Sequence, residues 1–397
     1  MTPLLLSSYT ATTCLGSGLE ATLAGLRDNR SGLKPCVFET VTLDTWIGEV
    51  VAVDAQKLPK NLIRFDCRNN RLVQLGLEAD GFAERVREAI ARYGKSRVGV
   101  FLGTSTAGIL QTELAYRRCD PVTGALPEDF IYRSTHNSFS LAEFAREYFG
   151  LEGPAMAVST ACSSSAKVFA AAARQLACGT IDAAIVGGVD TLCLTTLYGF
   201  ASLQLTSPEP CRPYDMARNG ISVGEGAAFA LLERVPAQPT SGSVLLLGVG
   251  ESSDAYHMSS PHPEGLGARL AMEAALRSAG LPASAIDYIN LHGTATPAND
   301  AAEGKAVVAL FGDQVPCSST KGATGHTLGA AGAVEAVICA LAMTNDLLPG
   351  SPHTKTRDPA IPLNYQLISR SGKVRHALSN SFGFGGSNCS LVLGVTP

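Results

Sequence analysis

The sequence predicts an α/β protein in which mixed sheets are covered by helices. Short strands of small and β-branched residues alternate with alanine-rich helices along its 397 residues. One segment has the strand–helix–strand spacing of a crossover unit, which joins parallel strands. The order of elements after a proline- and serine-rich break also resembles the order before it, which indicates an internal duplication.

The first part of the chain carries the crossover unit. Strands are predicted at "SRVGVFLG" (97–103), "AMAVS" (155–159) and "DAAIVGGV" (182–189). A helix is predicted between the last two strands, over 163–178. Gly179 ends this helix, since glycine is the usual residue after a helix C-terminus. A further strand, "AFALLERV", is predicted over 228–235.

The break "PAQPTSGS" (236–243) divides the chain into a predicted N-terminal half, 1–240, and a C-terminal half, 241–397. After it, "SVLLLGVGESSDAY" echoes the opening "TPLLLSSYTATTCLG". A strand is predicted to run into a loop within 287–296, and helices are predicted over 271–281, 301–312 and 330–343. The strands "HALSNS" and "NCSLVLG" are joined by "FGFGGS", a turn rich enough in glycine for a hairpin.

Composition excludes several classes of function. The charged fraction is 17% and the net charge −4, which gives no general attraction to nucleic acid or anionic membrane. No apolar run is long enough for a membrane span, and the N-terminus lacks the basic region of a signal peptide. The eleven cysteines are scattered without a C-x-x-C pair. We therefore expect a cytoplasmic protein with no disulfide framework and no metal site.

Cys162, in "STACSSS", lies on the corner between a predicted strand and a predicted helix. Unpaired N–H groups and the positive end of the helix dipole favour a thiolate there. A sharp turn would also expose the sulfur, as in the nucleophile elbow of hydrolases. The residue is therefore a candidate nucleophile, and a buried structural cysteine is the alternative.

Two further segments offer polar groups at strand ends or in glycine-rich loops. "HGTATPANDAAE" contains His292, and "STKGATGHTLGAAGA" contains Lys321 and His326. The second is not a phosphate-binding loop, because its lysine precedes the glycines. "GFGGSN" is not a dinucleotide fingerprint, because a strand follows it. Strand ends and loops are where α/β enzymes place their sites.

In this order and spacing, "TACSSS", "HGTATPANDAAE", "STKGATGHTLGAAG" and "NSFGFGGSN" resemble the β-ketoacyl-acyl-carrier-protein synthases, condensing enzymes of the thiolase superfamily. The resemblance covers essentially the whole chain. It implies a thiolase-like fold, with a duplicated five-layered α-β-α-β-α core and mixed sheets. It also implies a decarboxylative Claisen condensation of an acyl chain with malonyl-acyl-carrier protein, in fatty-acid, polyene or polyketide synthesis, without a cofactor.

The resemblance implies a role for each matching residue. Cys162 is the acyl acceptor, His292 and His326 act beside it, and Lys321 supports the site electrostatically. Further roles are implied for the following groups: Phe384 with Gly383, Gly385 and Gly386 as the gating turn and part of an oxyanion hole; Glu303, as the carboxylate partner of Lys321, and Asp300 behind the site; and Thr294 and Thr296 as hydroxyls that bind the phosphopantetheine arm.

The implied partners are an acyl carrier protein and a second subunit. The carrier is acidic, and the basic segment "KLPKNLIRFDCRNNR" suggests Lys60 and Arg64 as docking residues, with a solvated surface as the alternative. The second subunit is a second copy of the chain or a related protein.

Two other functions remain open at this point. A chain-length-factor-like subunit would shape the pocket of a catalytic sister, but such subunits characteristically lose the nucleophile, which this chain retains. A thiolase acting on coenzyme A thioesters would use a second cysteine near the C-terminal turn, where only Cys389 is close.

Overall fold

The computed structural model describes all 397 residues, and its two halves repeat one strand order. The first half contributes five strands: β1 (Leu4–Thr13), β2 (Val98–Gly103), β3 (Ala155–Val158), β4 (Ala183–Asp190) and β5 (Gly226–Arg234). Their order across the sheet is β3–β2–β4–β5–β1. β2 is parallel to β3 and β4, whereas β5 is antiparallel to β4 and β1.

The second half contributes an equivalent set: β6 (Val244–Ser253), β7 (Tyr288–Asn290), β8 (Pro316–Ser318), β9 (His376–Gly383) and β10 (Ser387–Val395). Their order is β8–β7–β9–β10–β6, and the parallel and antiparallel pairs match those of the first half. β1 and β6 pair over two residues, which joins the two sheets edge to edge. The predicted duplication is therefore present in the topology.

Helices form the other three layers. The eleven helices are α1 (Gly18–Arg27), α2 (Arg68–Glu78), α3 (Phe82–Tyr93), α4 (Ile109–Tyr116), α5 (Ser140–Phe149), α6 (Ser164–Ala177), α7 (Leu194–Ser202), α8 (Leu266–Ala279), α9 (Pro297–Phe311), α10 (Lys321–Thr324) and α11 (Ala331–Thr344). α6 and α11 lie between the sheets, with α2, α3 and α5 outside the first sheet and α8 and α9 outside the second. This arrangement confirms the predicted five-layered α/β core.

The largest hydrophobic cluster, of 36 buried residues, lies in the middle layer around α6 and α11. Every residue of α11 from Ala331 to Met343 is buried, because both sheets cover this helix. Small residues let α6 approach the strands closely. A Cβ at Gly103 would come within 2.4 Å of Ser165 N, and one at Gly188 within 2.5 Å of Ser165 Cβ. The first turn of α6 therefore packs directly against β2 and β4.

Most predicted elements agree with the structure to within two residues, and the hairpin β9–β10 closes at the pair Gly383 and Ser387. Two helices begin earlier than predicted. α8 begins at Leu266, and α9 begins at Pro297, where proline suits the first helical position because it needs no N–H partner. None of the helices combines the length and apolar character needed to cross a membrane.

Candidate active site

Cys162 lies in the sharp turn between β3 and α6. Ala161, directly before it, has φ +51°, a left-handed conformation that few non-glycine residues adopt. Backbone strain of this kind clusters at functional sites, where the surrounding structure maintains it. The cysteine is 6% exposed, two residues before α6 begins at Ser164. The sulfur is therefore placed at the N-terminal end of a helix in the middle layer.

The two histidines approach this sulfur from the other half of the chain. His292 follows β7, and His326 follows α10. His326 Nε2 lies 3.0 Å from Cys162 Sγ, and one nitrogen of each imidazole and the sulfur all lie within 4.8 Å of one another. The two rings stand nearly perpendicular, with centroids 5.3 Å apart. Three groups far apart in sequence thus form one cluster.

The cluster faces a single cavity of about 250 Å³. Cys162, His292 and His326 line it together with the apolar side chains of Phe200, Leu205 and Ile221. Cys389 is not among the lining residues and is fully buried in β10. The cavity therefore presents one thiol and lacks the second cysteine that a thiolase would use.

Lys321 is buried behind His292. Its Nζ donates to the backbone oxygen of His292 at 2.6 Å and lies 3.5 Å from His292 Nδ1. It also pairs with Glu335, the one charged residue of α11. The sequence-based pairing of Lys321 with Glu303 is therefore wrong, since the Glu303 oxygens already accept bonds from four other donors.

Glu303 and Asp300, from the first half of α9, hold the loop that carries His292. Glu303 accepts the N–H groups of His292 and Gly293, each at 2.8 Å, together with the hydroxyl of Tyr214 at 2.9 Å. Asp300 accepts the N–H of Tyr214 at 2.8 Å, and Arg218 lies 3.6 Å away. Both carboxylates therefore fix the conformation of this loop from behind the site.

Both imidazoles are neutral near pH 7. Burial holds the pKa of His292 and of His326 well below the usual value, and the positive charge of Lys321 lowers both further. Because the ammonium of Lys321 has only protons to offer, the Nδ1 of His292 facing it is an acceptor. The proton of His292 is then on Nε2. Nδ1 of His326 is buried without a hydrogen-bond partner. A buried lone pair without a partner costs less free energy than a buried N–H without one, so the proton of His326 is also on Nε2.

The sequence predicts a thiolate at Cys162, and the structure differs. Burial raises the pKa of the Cys162 thiol to about 11, although Lys321 and the backbone N–H of Phe384 lower it. Asp190 and Glu335 act in the same direction as burial. Desolvation is the largest of these effects, and the resting group is a thiol.

The glycine-rich turn lies directly over the nucleophile. A Cβ at Gly383 would be 2.7 Å from Thr160 O, and the backbone N–H of Phe384 faces the Cys162 sulfur. Phe384 is 36% exposed, and its ring packs edge-on against that of Phe200, with the centroids 5.8 Å apart. Gly385 and Gly386 have positive φ, +80° and +74°. Such a turn brings backbone close to the sulfur at one end of the cavity.

A neighbouring loop is bonded to this turn. Gly385 N donates to Met258 O at 2.8 Å, and Asp254 N donates to Gly386 O at 2.9 Å. Asp254 and Ser259 also line the cavity. The sequence block "SSDAYHMSSP" contains this loop, but sequence reasoning assigned none of its residues to the site.

The remaining predicted residues are divided between cavity and surface. Thr294 and Thr296 line the cavity, with their hydroxyl oxygens 2.9 Å apart. Lys60 and Arg64 lie outside it, on an exposed 3₁₀ helix, Lys60–Phe65, where Arg64 pairs with Glu147.

Sequence reasoning also missed Glu335 and Asp190, which lie next to the cluster. Glu335 had a readable signal: a lone carboxylate in the otherwise apolar helix "AAGAVEAVICALAM" needs a buried cation.

Comparison with known proteins identifies the family of the chain. The Beta-ketoacyl synthase N-terminal domain matches residues 9–237, and the Beta-ketoacyl synthase C-terminal domain matches residues 244–355. The chain belongs to the β-ketoacyl synthase family.

Among its relatives, 3-oxoacyl-[acyl-carrier-protein] synthase 2 of Vibrio cholerae is 33% identical over 95% of each chain. Nodulation protein E of Rhizobium meliloti is also 33% identical over 95% of each chain. A solved complex of a ketosynthase with its chain length factor, from Xenorhabdus doucetiae, contains a chain that is 38% identical. It covers 100% of this chain and 98% of that one, with a TM-score of 0.90.

Proposed function

We propose that this chain condenses an acyl group, carried on Cys162, with a malonyl group on an acyl carrier protein, releasing CO₂ and giving 3-oxoacyl-acyl-carrier protein. The observation that carries the proposal is the cluster of one thiol and two neutral imidazoles in one cavity. Relatives named 3-oxoacyl-[acyl-carrier-protein] synthase support the same reaction.

The first step is acyl transfer to the sulfur. The sulfur attacks the thioester carbonyl of the incoming acyl carrier, and the thiol proton leaves with the carrier's sulfur. The N–H at Nε2 of His326, 3.0 Å from the sulfur, would stabilise the thiolate as it forms. The backbone N–H groups of Cys162 and Phe384 are the proposed donors to the carbonyl oxygen. Covalent capture divides one difficult reaction into two easier ones.

The second step is decarboxylation of the malonyl group. The bond between its α-carbon and carboxylate breaks, CO₂ leaves, and the electron pair becomes an enolate on the thioester. With the sulfur now acylated, the Nε2–H groups of His292 and His326 would both donate to the enolate oxygen. Neutral imidazoles suit this role because each donates a hydrogen bond to the enolate oxygen without forming an ion pair with that oxygen.

The third step forms the carbon–carbon bond. The enolate carbon attacks the acyl carbonyl on Cys162, and the tetrahedral intermediate collapses to expel the sulfur. The sulfur takes up a proton from water, which replaces the proton that left with the first carrier. Thr294 and Thr296 are proposed to hold the phosphopantetheine arm, since their hydroxyls line the same cavity. Phe384 and its glycines are proposed as the gate through which the acyl chain passes.

Acyl transfer is tested by incubating the protein with acyl-carrier thioesters of graded length and unsaturation and measuring intact mass. We expect one acyl adduct per chain, mapped by peptide analysis to Cys162, and none on Cys162→Ala. The rate across the panel identifies the natural acyl chain and separates fatty-acid from polyene or polyketide synthesis. Absence of an adduct with every donor would favour the subunit function instead.

We propose a homodimer as the working assembly. The outer edge of β3 pairs with no strand of the chain, and Met156 on it is 41% exposed. An unpaired strand edge is a surface that a second copy can cover. Native mass spectrometry of the purified chain should give twice the monomer mass. A monomer that assembles only with a related subunit would instead indicate a heterodimer, as named for the Xenorhabdus doucetiae complex.

We propose that the carrier protein docks at Lys60 and Arg64. Both side chains lie on the exposed 3₁₀ helix, and their charge complements an acidic carrier. Charge reversal at both positions should raise the KM for carrier-bound substrate at low salt, whereas reversal of Arg85 on α3 should not. An unchanged KM in the double variant would remove this surface from consideration.

We propose that the two halves divide at residues 1–240 and 241–397 and that the enzyme works in the cytosol. The boundary is supported by its position between β5 and β6, where the repeated strand order begins again. A cytosolic setting is supported by the eleven cysteines, all of which are unpaired.

A further inference from the structure

Asp190, the last residue of β4, is fully buried and accepts hydrogen bonds from two segments. From the loop after β2, its Oδ1 accepts from Thr104 Oγ1 at 2.6 Å, Ser105 N at 2.8 Å, Thr106 N at 2.9 Å and Thr106 Oγ1 at 2.8 Å. Its Oδ2 accepts from Ser105 N at 3.1 Å and from the Ser105 hydroxyl. From the turn before α11, Gly329 N donates to Oδ2 at 2.6 Å. Every partner is a donor, which suits an ionised carboxylate.

This carboxylate has no cationic partner. Buried charges are normally paired, and an unpaired one costs free energy unless several hydrogen bonds compensate for it. By contrast, Glu225, an equally buried carboxylate, binds Arg68 through two 2.7 Å bonds. Asp190 is instead compensated by seven hydrogen bonds, which come from only two segments and therefore join them.

The position of the contacts suggests a role for Asp190. Gly329 lies three residues after His326, and a Cβ on it would come within 2.8 Å of Asp190 Oδ2 and 2.7 Å of Ser105 N. Leu328, between them, has φ +49°, so the turn is held in a strained conformation. At its other end His326 N donates to Ser222 O at 2.8 Å. The turn that carries the imidazole is thus fixed on both sides.

We propose that Asp190 is a positioning residue that fixes the His326 turn against the loop after β2. The inference builds on the proposed condensation, but its effect on the turn is measurable without any acyl substrate.

The test compares Asp190→Asn with Glu225→Gln, a matched loss of a buried carboxylate that does not touch the cluster. Amide hydrogen exchange of the peptide that carries residues 326–330 should be faster in Asp190→Asn than in wild type, because Gly329 N loses its carboxylate acceptor. Its kcat should fall at least about fivefold with KM within about twofold, because the imidazole is displaced while the substrate-binding groups are unchanged. Glu225→Gln should leave both the exchange of this peptide and kcat within about twofold of wild type.

A second variant decides the question if Asp190→Asn does not fold. Thr104→Val with Thr106→Val removes two hydroxyl donors and keeps the carboxylate. Its kcat should fall at least about fivefold. Unchanged hydrogen exchange of the turn in a folded Asp190→Asn, or kcat within about twofold of wild type in either variant, would overturn the proposal. If the turn responds as expected but wild-type enzyme performs no condensation, the proposed function fails independently.

Discussion

The sulfur of Cys162 lies 3.0 Å from Nε2 of His326, although 164 residues separate the two positions. The contact crosses from one half of the duplicated fold to the other. It forms because α6 and α11 both lie in the middle layer, with Cys162 in the turn before α6 and His326 in the loop between α10 and α11. The duplication therefore builds the site, with the nucleophile from one repeat and the imidazoles from the other.

Removal of one imidazole tests the proposed enolate stabilisation. His326→Ala should reduce CO₂ release from malonyl-carrier protein by about 10²–10³-fold, because one oxyanion donor is lost where charge develops. The measurement is the rate of CO₂ release, with His376→Ala, far from the cavity, as the control. Normal CO₂ release by the His326 variant would show that this imidazole does not bind the enolate oxygen.

Variants of the buried pair Lys321 and Glu335 should change the stability of the fold and the rate of decarboxylation differently. Glu335→Leu leaves the ammonium without its partner and should lower the free energy of unfolding by about 3–5 kcal/mol. The double variant Lys321→Met, Glu335→Leu should regain most of that stability. It should not regain decarboxylation, because the donor that fixes the His292 tautomer is gone.

Urea unfolding and CO₂ release measure the two quantities on the same samples. A fully active double variant would show that Lys321 matters only as the partner of Glu335. A single variant as stable as wild type would show that the two charges are not coupled.

The raised pKa of Cys162 predicts the pH dependence of its alkylation. The thiolate is the minor species at neutral pH, so its fraction rises about tenfold for each pH unit up to the pKa. The rate of iodoacetamide addition at Cys162 should therefore rise from pH 7 to pH 9 without levelling off. A plateau at or below pH 8 would mean that the helix terminus outweighs burial after all.

Two adjacent glycines of the gating turn offer a matched comparison. Both have positive φ, so alanine strains either position by about 1–2 kcal/mol. A Cβ at Gly385 meets no atom within 4 Å, whereas one at Gly386 lies 2.9 Å from Asp254 Cβ. Gly386→Ala should therefore acylate Cys162 at least about fivefold more slowly than Gly385→Ala in stopped-time mass measurements. Equal rates would show that the contact with Asp254 does not control the turn.

Local pattern in the sequence was sufficient to predict much of the fold. Strands such as β2 and β4 are short runs of small and β-branched residues, and glycines mark the β9–β10 hairpin. The start of α9 was misplaced because "TPAND" reads as a loop by composition, while Thr296 in extended conformation and Pro297 in fact begin the helix.

The site was predicted less evenly. Cys162, His292 and His326 lie in recognisable motifs. The identity of the carboxylate that pairs with Lys321, however, depends on three-dimensional packing. Glu303 is the last residue of the motif "HGTATPANDAAE", yet it accepts hydrogen bonds from backbone N–H groups, whereas Glu335 reaches the ammonium from α11. The protonation state of Cys162 depends on burial, which no local pattern reports. Asp190 was not predicted as a site residue, because its hydrogen-bond partners are backbone N–H groups and hydroxyls.

A single-turnover chase tests the central claim most directly. The enzyme is first acylated, freed of excess donor, and then mixed with malonyl-carrier protein while the mass of the enzyme, released CO₂ and carrier-bound product are followed together. We expect the adduct on Cys162 to disappear at the rate at which CO₂ is released and at which a 3-oxoacyl product two carbons longer is formed. Cys162→Ala should form no product. Product formation by Cys162→Ala, or an adduct that persists while CO₂ is released and product accumulates, would contradict the account.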